Sequence, residues 1–223
     1  MKNYRIHLIR HGFTQDNEAG ILGGAGRDLP LSALGKAEIL RMKEEFTYPS
    51  VETLFVSPMK RAVETAQLLY PQHKALLIAP LVETHFGPFE GVEAAQVATT
   101  GFWETWRDEE NPQTPDGAES YAAFFERVTT AYATLLEGMM KAGVHEAALV
   151  SHGGVIATIL GRFGLPQHHE DFWLADNGAG YTTSISTAMW QRLGMVEVTQ
   201  ILPTGYMQAL QAQAEGEQSE GDA

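Results

Sequence analysis

The sequence predicts an α/β protein built in three layers, α/β/α, around a mostly parallel central sheet. Three observations predict it. Short apolar runs alternate with segments of helical period along most of the chain. The helical segments open at Ser, Pro or a Gly pair, and two of the four close at Gly, signals that mark helix ends. Polar clusters containing Arg, His, Glu and Gly follow the apolar runs, where an open parallel sheet places its ligands.

The elements follow in order. Residues 4–9 form an apolar strand that stops at Arg10-His11-Gly12. Ser32 is the expected N-cap of a helix to about residue 46, with Leu34, Ala37 and Leu40 on its packed face. Residues 53–56 are a second strand, ended by Ser57-Pro58. Met59, Ala62, Val63, Ala66, Leu69 and Tyr70 then recur at helical spacing, and residues 76–78 read as a third strand. The longest periodic segment runs from Ser120 to about Ala142, with Tyr121, Phe124, Phe125, Val128, Ala131, Tyr132, Leu135, Leu136 and Met139 as its stripe and Gly143 as its stop. A buried strand at 147–150 leads through Gly153-Gly154 into a helix that closes near Gly164. Residues 181–190 and 195–202, with a turn at 191–194, are expected to pair as a terminal hairpin.

Length and composition fit one domain over residues 1–206, with a lid insertion at about 92–117 and an acidic tail at 207–223. The tail carries Glu215, Glu217, Glu220 and Asp222 with no Lys or Arg, a composition expected to be disordered. There is no cysteine, which excludes disulfides, zinc-thiolate sites and a cysteine nucleophile. A net charge of −13 argues against nucleic acid and anionic membrane as partners. No apolar run is long enough to span a bilayer, and the first residues are too soon interrupted by Arg10 and His11 to form a secretory signal. A cytoplasmic location is expected, with oligomeric state, a homodimer included, left open.

Four polar constellations fall at strand ends. They are Arg10-His11 with Thr14 and Asn17; SPMKRAVETA (57–66) with Arg61; VETHFGPFEG (82–91) with Glu83; and VSHGGVI (150–156) with His152, Gly153 and Gly154. A histidine offers a nucleophile and a guanidinium holds an oxyanion, while backbone N–H groups at a helix start form an anion site. Each cluster alone has an ordinary structural explanation. Two arginines, two histidines and one carboxylate converging on one sheet edge point to phosphoryl transfer through a phosphohistidine.

With these motifs in order, from LIRHGFTQDN through DLPLSALG, SPMKRAVETA, VETHFGPFEG and PDGAES to VSHGGVI, the chain resembles the histidine phosphatase superfamily, the phosphoglycerate mutase-like proteins, over about residues 4–190. The resemblance implies a phosphoglycerate mutase-like fold. It implies that His11 is the phosphorylated nucleophile, that Arg10, Arg61 and His152 surround the phosphoryl group, that Asn17 adds a hydrogen bond and that Glu83 gives a proton to the leaving oxygen. No metal or organic cofactor is needed. Two departures stand out: the PGGES-like segment of the family is PDGAES here, with an extra residue before the acid, and Ala157 stands where relatives often carry arginine.

Other motifs read as structure. GGAGRD (23–28) lacks the ending of a phosphate loop and is expected to be a flexible border of the cleft. His168-His169-Glu170-Asp171 reads as exposed loop, and His7 as a satisfied core histidine.

Specificity is expected from the lid. Phe102, Trp103 and Trp106 cluster there with Glu104, Asp108, Glu109 and Glu110, and Arg107 is its one cation. The aromatics either flank a leaving group or pack the lid onto the domain. Trp103, Trp106 and Arg107 are candidate substrate contacts beside Asn17, Thr14, Gly153 and Gly154. One cation favours a monoester with an uncharged or aromatic remainder over a second anionic group. The expected activity is therefore a phosphatase for small-molecule phosphate monoesters, broad in specificity or acting on ribazole phosphate. The alternatives are a cofactor-dependent phosphoglycerate mutase and a non-catalytic phosphate-binding module.

Overall fold

The computed structural model describes residues 3–108 and 110–212 of the 223. Glu109 and the acidic stretch 213–223 lie outside the described residues. β1 (Asn3–Arg10) is followed by the single turn α1 (Gln15–Glu18), then α2 (Ala33–Glu45), β2 (Thr53–Val56), α3 (Lys60–Leu69) and β3 (Ala75–Leu77). The lid holds two short helices, α4 (Ala94–Ala98) and α5 (Phe102–Trp106), ahead of the long α6 (Tyr121–Ala142). β4 (Glu146–Ser151) and α7 (Gly153–Phe163) come next, then β5 (Gly164–Leu165), β6 (Gly180–Ser186), α8 (Thr187–Leu193) and β7 (Val196–Leu202).

Among the described residues the strands form one sheet in the order β3-β2-β4-β1-β6-β7-β5. β3, β2, β4 and β1 run parallel, β6 and β7 add antiparallel, and β5 lies parallel to β7. The period of two along β4 builds the layers: Ala147 and Leu149 face a core shared with α6 and α7, whereas Ala148 and Val150 face a core shared with α2 and α3. This is the expected three-layer α/β architecture. β4 occupies the place between β1 and its successor β2, so the carboxyl ends of three strands adjoin at one edge.

α6 is fixed at both ends by its sequence. The Ser120 side chain accepts the Ala123 N–H, and Gly143 closes the helix at φ 72°, a conformation that favours glycine. Phe124, Val128, Tyr132, Leu135, Leu136 and Met139 are its buried stripe.

Three expectations are corrected. The packed face of α2 is Gly35, Ile39 and Met42, while Leu34 and Leu40 are exposed. The reason is close approach: a Cβ on Gly35 would lie 2.0 Å from the Phe13 carbonyl oxygen, so the glycine face, not the leucine face, meets the core. Residues 181–190 are not one strand. β6 ends at Ser186, whose side chain accepts the Met189 N–H and starts α8, and Trp190 packs on Phe163 with ring centroids 5.4 Å apart. The chain also stays helical over 206–212, where Tyr206 meets the Phe46 ring at 5.7 Å and donates to Asp176 Oδ2 at 3.1 Å.

Candidate active site

His11 leaves the end of β1 with its backbone tied on every side. Its N–H donates to Ser151 O at 3.0 Å, its carbonyl accepts from Asn177 Nδ2 at 2.9 Å, and the next N–H, of Gly12, donates to Thr65 Oγ1 at 2.9 Å. Gly12 is required by space, since a Cβ there would lie 2.7 Å from Ile39 Cγ1. Ile39 Cδ1 also lies 2.9 Å from where a Cβ on Gly178 would stand, and the Gly178 N–H donates to Arg10 O at 3.0 Å. One α2 side chain thus braces both segments that carry the His11 backbone.

The His11 Nδ1 lies 2.7 Å from Gly12 O. A carbonyl only accepts, so Nδ1 carries the proton and Nε2 keeps its lone pair. Arg61, at the first turn of α3, donates from Nε to that His11 Nε2 at 3.1 Å and to His152 Nδ1 at 3.3 Å. With Nδ1 accepting, His152 donates from Nε2 to Ser57 Oγ at 2.7 Å. Burial above all, then the Arg61 guanidinium, holds both imidazoles neutral well below their ordinary range. The remaining Arg61 nitrogens donate to the carbonyls of Arg27 and Gly24, at 3.0 and 3.4 Å. The Gly23 to Asp28 loop is therefore pinned to the site, and Arg27 pairs with both oxygens of Asp16.

Arg10 donates from one terminal nitrogen to Ala175 O at 2.7 Å, while its buried Nε–H has no protein acceptor among the described residues. Glu83 follows the 3-10 turn Ala79–Leu81 and is buried. Its carboxylate accepts from Thr84 N at 3.0 Å and from Gly154 N, in the first turn of α7, at 3.1 Å. Asn17 Oδ1 accepts from the Thr14 N–H and hydroxyl, closing the box that caps α1, so its other polar group is the Nδ2 donor.

A cavity of about 600 Å³ joins these groups to the lid. Arg10, His11, Thr14, Asn17, Arg61, Glu83, Gly153 and Gly154 line it together with Trp103, Trp106 and Arg107, so the lid candidates do border the same space. His152 falls short of the expectation: fully buried behind His11, it does not line the cavity and meets only the His11 ring, 5.2 Å between centroids. Three details differ from the sequence reading. The Gly154 N–H is used by Glu83 and is not open to a ligand. Trp106 is largely core, donating from Nε1 to Glu119 O at 2.8 Å, and Arg107 donates to Asp171 at 2.7 Å. Ala157, the second departure from the family pattern, also lines the cavity.

The PDGAES segment has a structural use: Glu119 binds Arg127 through both carboxylate oxygens, at 2.7 and 2.8 Å. Arg127 in turn donates to the carbonyls of Pro80, Val82 and Glu83, fixing the backbone that carries Glu83. Sequence reading missed Arg127, Asn177 and Thr65. They act on backbone atoms or through a long-range contact, Arg127 and Asn177 outside any motif and Thr65 unmarked within SPMKRAVETA, whereas Ser57 was visible as the strand-end residue before Pro58.

His7 is satisfied as expected, by Thr182 Oγ1 at 3.0 Å and Glu146 Oε1 at 2.9 Å. His168 and His169 are exposed, but Glu170 is buried and lines the cavity. Among the described residues no group of three or more His, Asp or Glu side chains is arranged to hold a metal ion, and no helix is long and apolar enough to cross a membrane.

An unprotonated imidazole nitrogen, two guanidinium groups and a buried carboxyl group around one cavity can take up a phosphoryl group and service a leaving oxygen. Comparison with known proteins gives the same direction. The family profile described as "Histidine phosphatase superfamily (branch 1)" matches residues 6–198. An uncharacterized protein of Mycobacterium tuberculosis is 30% identical over 152 residues, covering 66% of this chain and 72% of its own. The adenosylcobalamin/alpha-ribazole phosphatase of Escherichia coli is 27% identical over 179 residues, 78% of this chain and 86% of its own. In fold, the crystal structure of phosphoglycerate mutase from Bacillus anthracis superposes with a TM-score of 0.68 at 18% identity, over 89% of this chain and 92% of that one.

Proposed function

This chain belongs to the histidine phosphatase superfamily, and from that membership we propose that it hydrolyses small-molecule phosphate monoesters through a phosphohistidine at His11. The observation that carries the proposal is the tautomer: the Gly12 carbonyl takes the Nδ1 proton, which leaves the Nε2 lone pair of His11 beside Arg61. Nε2 attacks phosphorus, the bond to the ester oxygen breaks, and protonated Glu83 gives that oxygen its proton. In the second half, Glu83 takes a proton from water as the water oxygen attacks phosphorus, and the N–P bond breaks to release inorganic phosphate. Arg10 and Arg61 surround the phosphoryl oxygens, Asn17 offers its Nδ2 donor, and His152 acts from behind by accepting from Arg61. The guanidinium groups supply the positive charge of this scheme, which uses no metal.

A phosphatase is favoured over a mutase by the lid. A mutase must hold a second anionic group, and Arg107, the lid cation, is already paired with Asp171. The Escherichia coli relative is named as a phosphatase, which supports the same reading. The test is a turnover assay on phenyl phosphate, with and without chelator, alongside alkali-quenched intact mass spectrometry. The unaltered protein should turn over and carry one labile phosphoryl group in the quench, and His11→Ala should do neither. Turnover by His11→Ala would sink the mechanism. Absence of turnover in the unaltered protein would favour a binding module, and phosphoryl return to glycerate phosphates a mutase.

A further inference from the structure

The cavity continues past the phosphate site along α7. Gly153, Gly154, Ala157 and Thr158 line it, and one turn further Glu170 lies over Gly161, its Cγ 2.5 Å from where a Cβ on that glycine would stand. From Gly154, which holds Glu83, to Gly161 is seven residues of helix, or about 10 Å. The cavity thus has a carboxyl group at each end of an α7 wall.

Glu170 is 9% exposed, and its Oε1 accepts the Tyr121 hydroxyl at 2.7 Å. Among the described residues it forms no ion pair. Arg107 pairs instead with the adjacent Asp171 at 2.7 Å. Among the described residues this carboxylate is served by one neutral donor, so it keeps acceptor positions on the cavity side. The neighbouring walls are flat and aromatic: Trp106 meets the Tyr121 ring at 5.1 Å, and Trp103 lines the same cavity.

We propose that Glu170 determines specificity by accepting hydrogen bonds from a donor at the far end of the leaving group, an ammonium above all. The substrate class is a phosphate monoester whose leaving group is flat, spans about two rings and ends in an amine. This rests on the phosphatase reading above. It accounts for a carboxylate that the proposed chemistry at His11 does not use and that lies too far along α7 to serve the ester oxygen.

The experiment compares three esters, 4′-aminomethyl-, 4′-hydroxymethyl- and 4′-methylbiphenyl-4-yl phosphate, in the unaltered protein and in Glu170→Gln. Each ratio of kcat/KM is taken within one preparation, so a change in folded fraction cancels. The unaltered protein should prefer the aminomethyl ester to the methyl ester by about tenfold or more, the worth of one charge-assisted hydrogen bond. The hydroxymethyl ester should fall between them, and Glu170→Gln should bring the aminomethyl preference to about one or below. A ratio near one in the unaltered protein, or a preference that survives in Glu170→Gln, overturns the proposal. Equal preference for the hydroxymethyl and aminomethyl esters overturns the ammonium assignment. If phenyl phosphate is turned over without these preferences, this inference alone fails. If no ester is turned over, the phosphatase reading fails with it.

Discussion

Glu83 and Gly154 are joined by a hydrogen bond of 3.1 Å that sets the proposed acid against the first turn of α7. A Cβ on Gly154 would lie 2.6 Å from Glu83 Oε1, so the carboxylate must move if the glycine is replaced. Gly154→Ala should keep the fold, since φ at this position is not in the left-handed region. It should lower kcat by about 100-fold, the usual cost of displacing a catalytic group by roughly an ångström. Steady-state kinetics and a melting curve on the same sample check it, and full activity would show that the Glu83 position is not critical.

Glu83→Gln keeps the size of the side chain and removes the proton it would donate. The loss in kcat/KM, which reports phosphoryl transfer to His11, should be about 10²- to 10⁴-fold for esters of aliphatic alcohols. It should shrink towards parity for 4-nitrophenyl phosphate, whose leaving oxygen needs little protonation. A loss independent of leaving-group acidity would remove Glu83 from the role of acid.

Arg127 ties Glu119 to three carbonyls, those of Pro80, Val82 and Glu83. Arg127→Lys keeps the charge but cannot make the planar fork, so it should not rescue what Arg127→Ala loses. Both should lower kcat with little change in KM and lower Tm by several degrees, because carbonyls on a half-buried segment lose their donors. An unchanged Tm and kcat in either variant would show that the segment holds itself.

The histidines predict an acid limb of stability. Burial first, and then the Arg61 charge, depresses the folded-state pKa of His11 and His152 well below 6.5. Below that pH the unfolded chain takes up protons that the folded chain refuses, so stability is full above about pH 6.5 and lost as pH falls towards the folded values. The slope is at most about 1.4 kcal/mol per pH unit for each histidine. Tm should fall between about pH 7.5 and 5.5, and His11→Asn should flatten the decline. The same slope in both proteins would show that His11 is not linked to stability.

How much of this was legible in the sequence depends on where each residue does its work. Arg10, His11, Arg61 and His152 stand at or just beyond strand ends or in a first helical turn and are brought together through β1, β2 and β4, whereas Glu83 lies beyond the 3-10 turn that follows β3 and is joined to them by its bond from Gly154. The packed face of α2 was misread because large aliphatic side chains are the visible signal, whereas Gly35 is what lets the helix approach Phe13. The end of β6 was misread because residues 181–187 are rich in β-favouring Tyr, Thr and Ile with no Gly or Pro before α8, and one Ser186 cap decides the change. Glu170 was hidden by its exposed neighbours, since nothing in the string His168-His169-Glu170-Asp171 says which of the four turns inward.

Ile39 supplies no group to the proposed chemistry, yet it is wedged against Gly12 and Gly178 on either side of the His11 backbone. The amide protons of His11 and Gly12 are bonded to Ser151 and Thr65 beneath the same helix. Both exchange only when these bonds open, so the exchange rate of two peptide hydrogens reports how often the nucleophile segment comes undone.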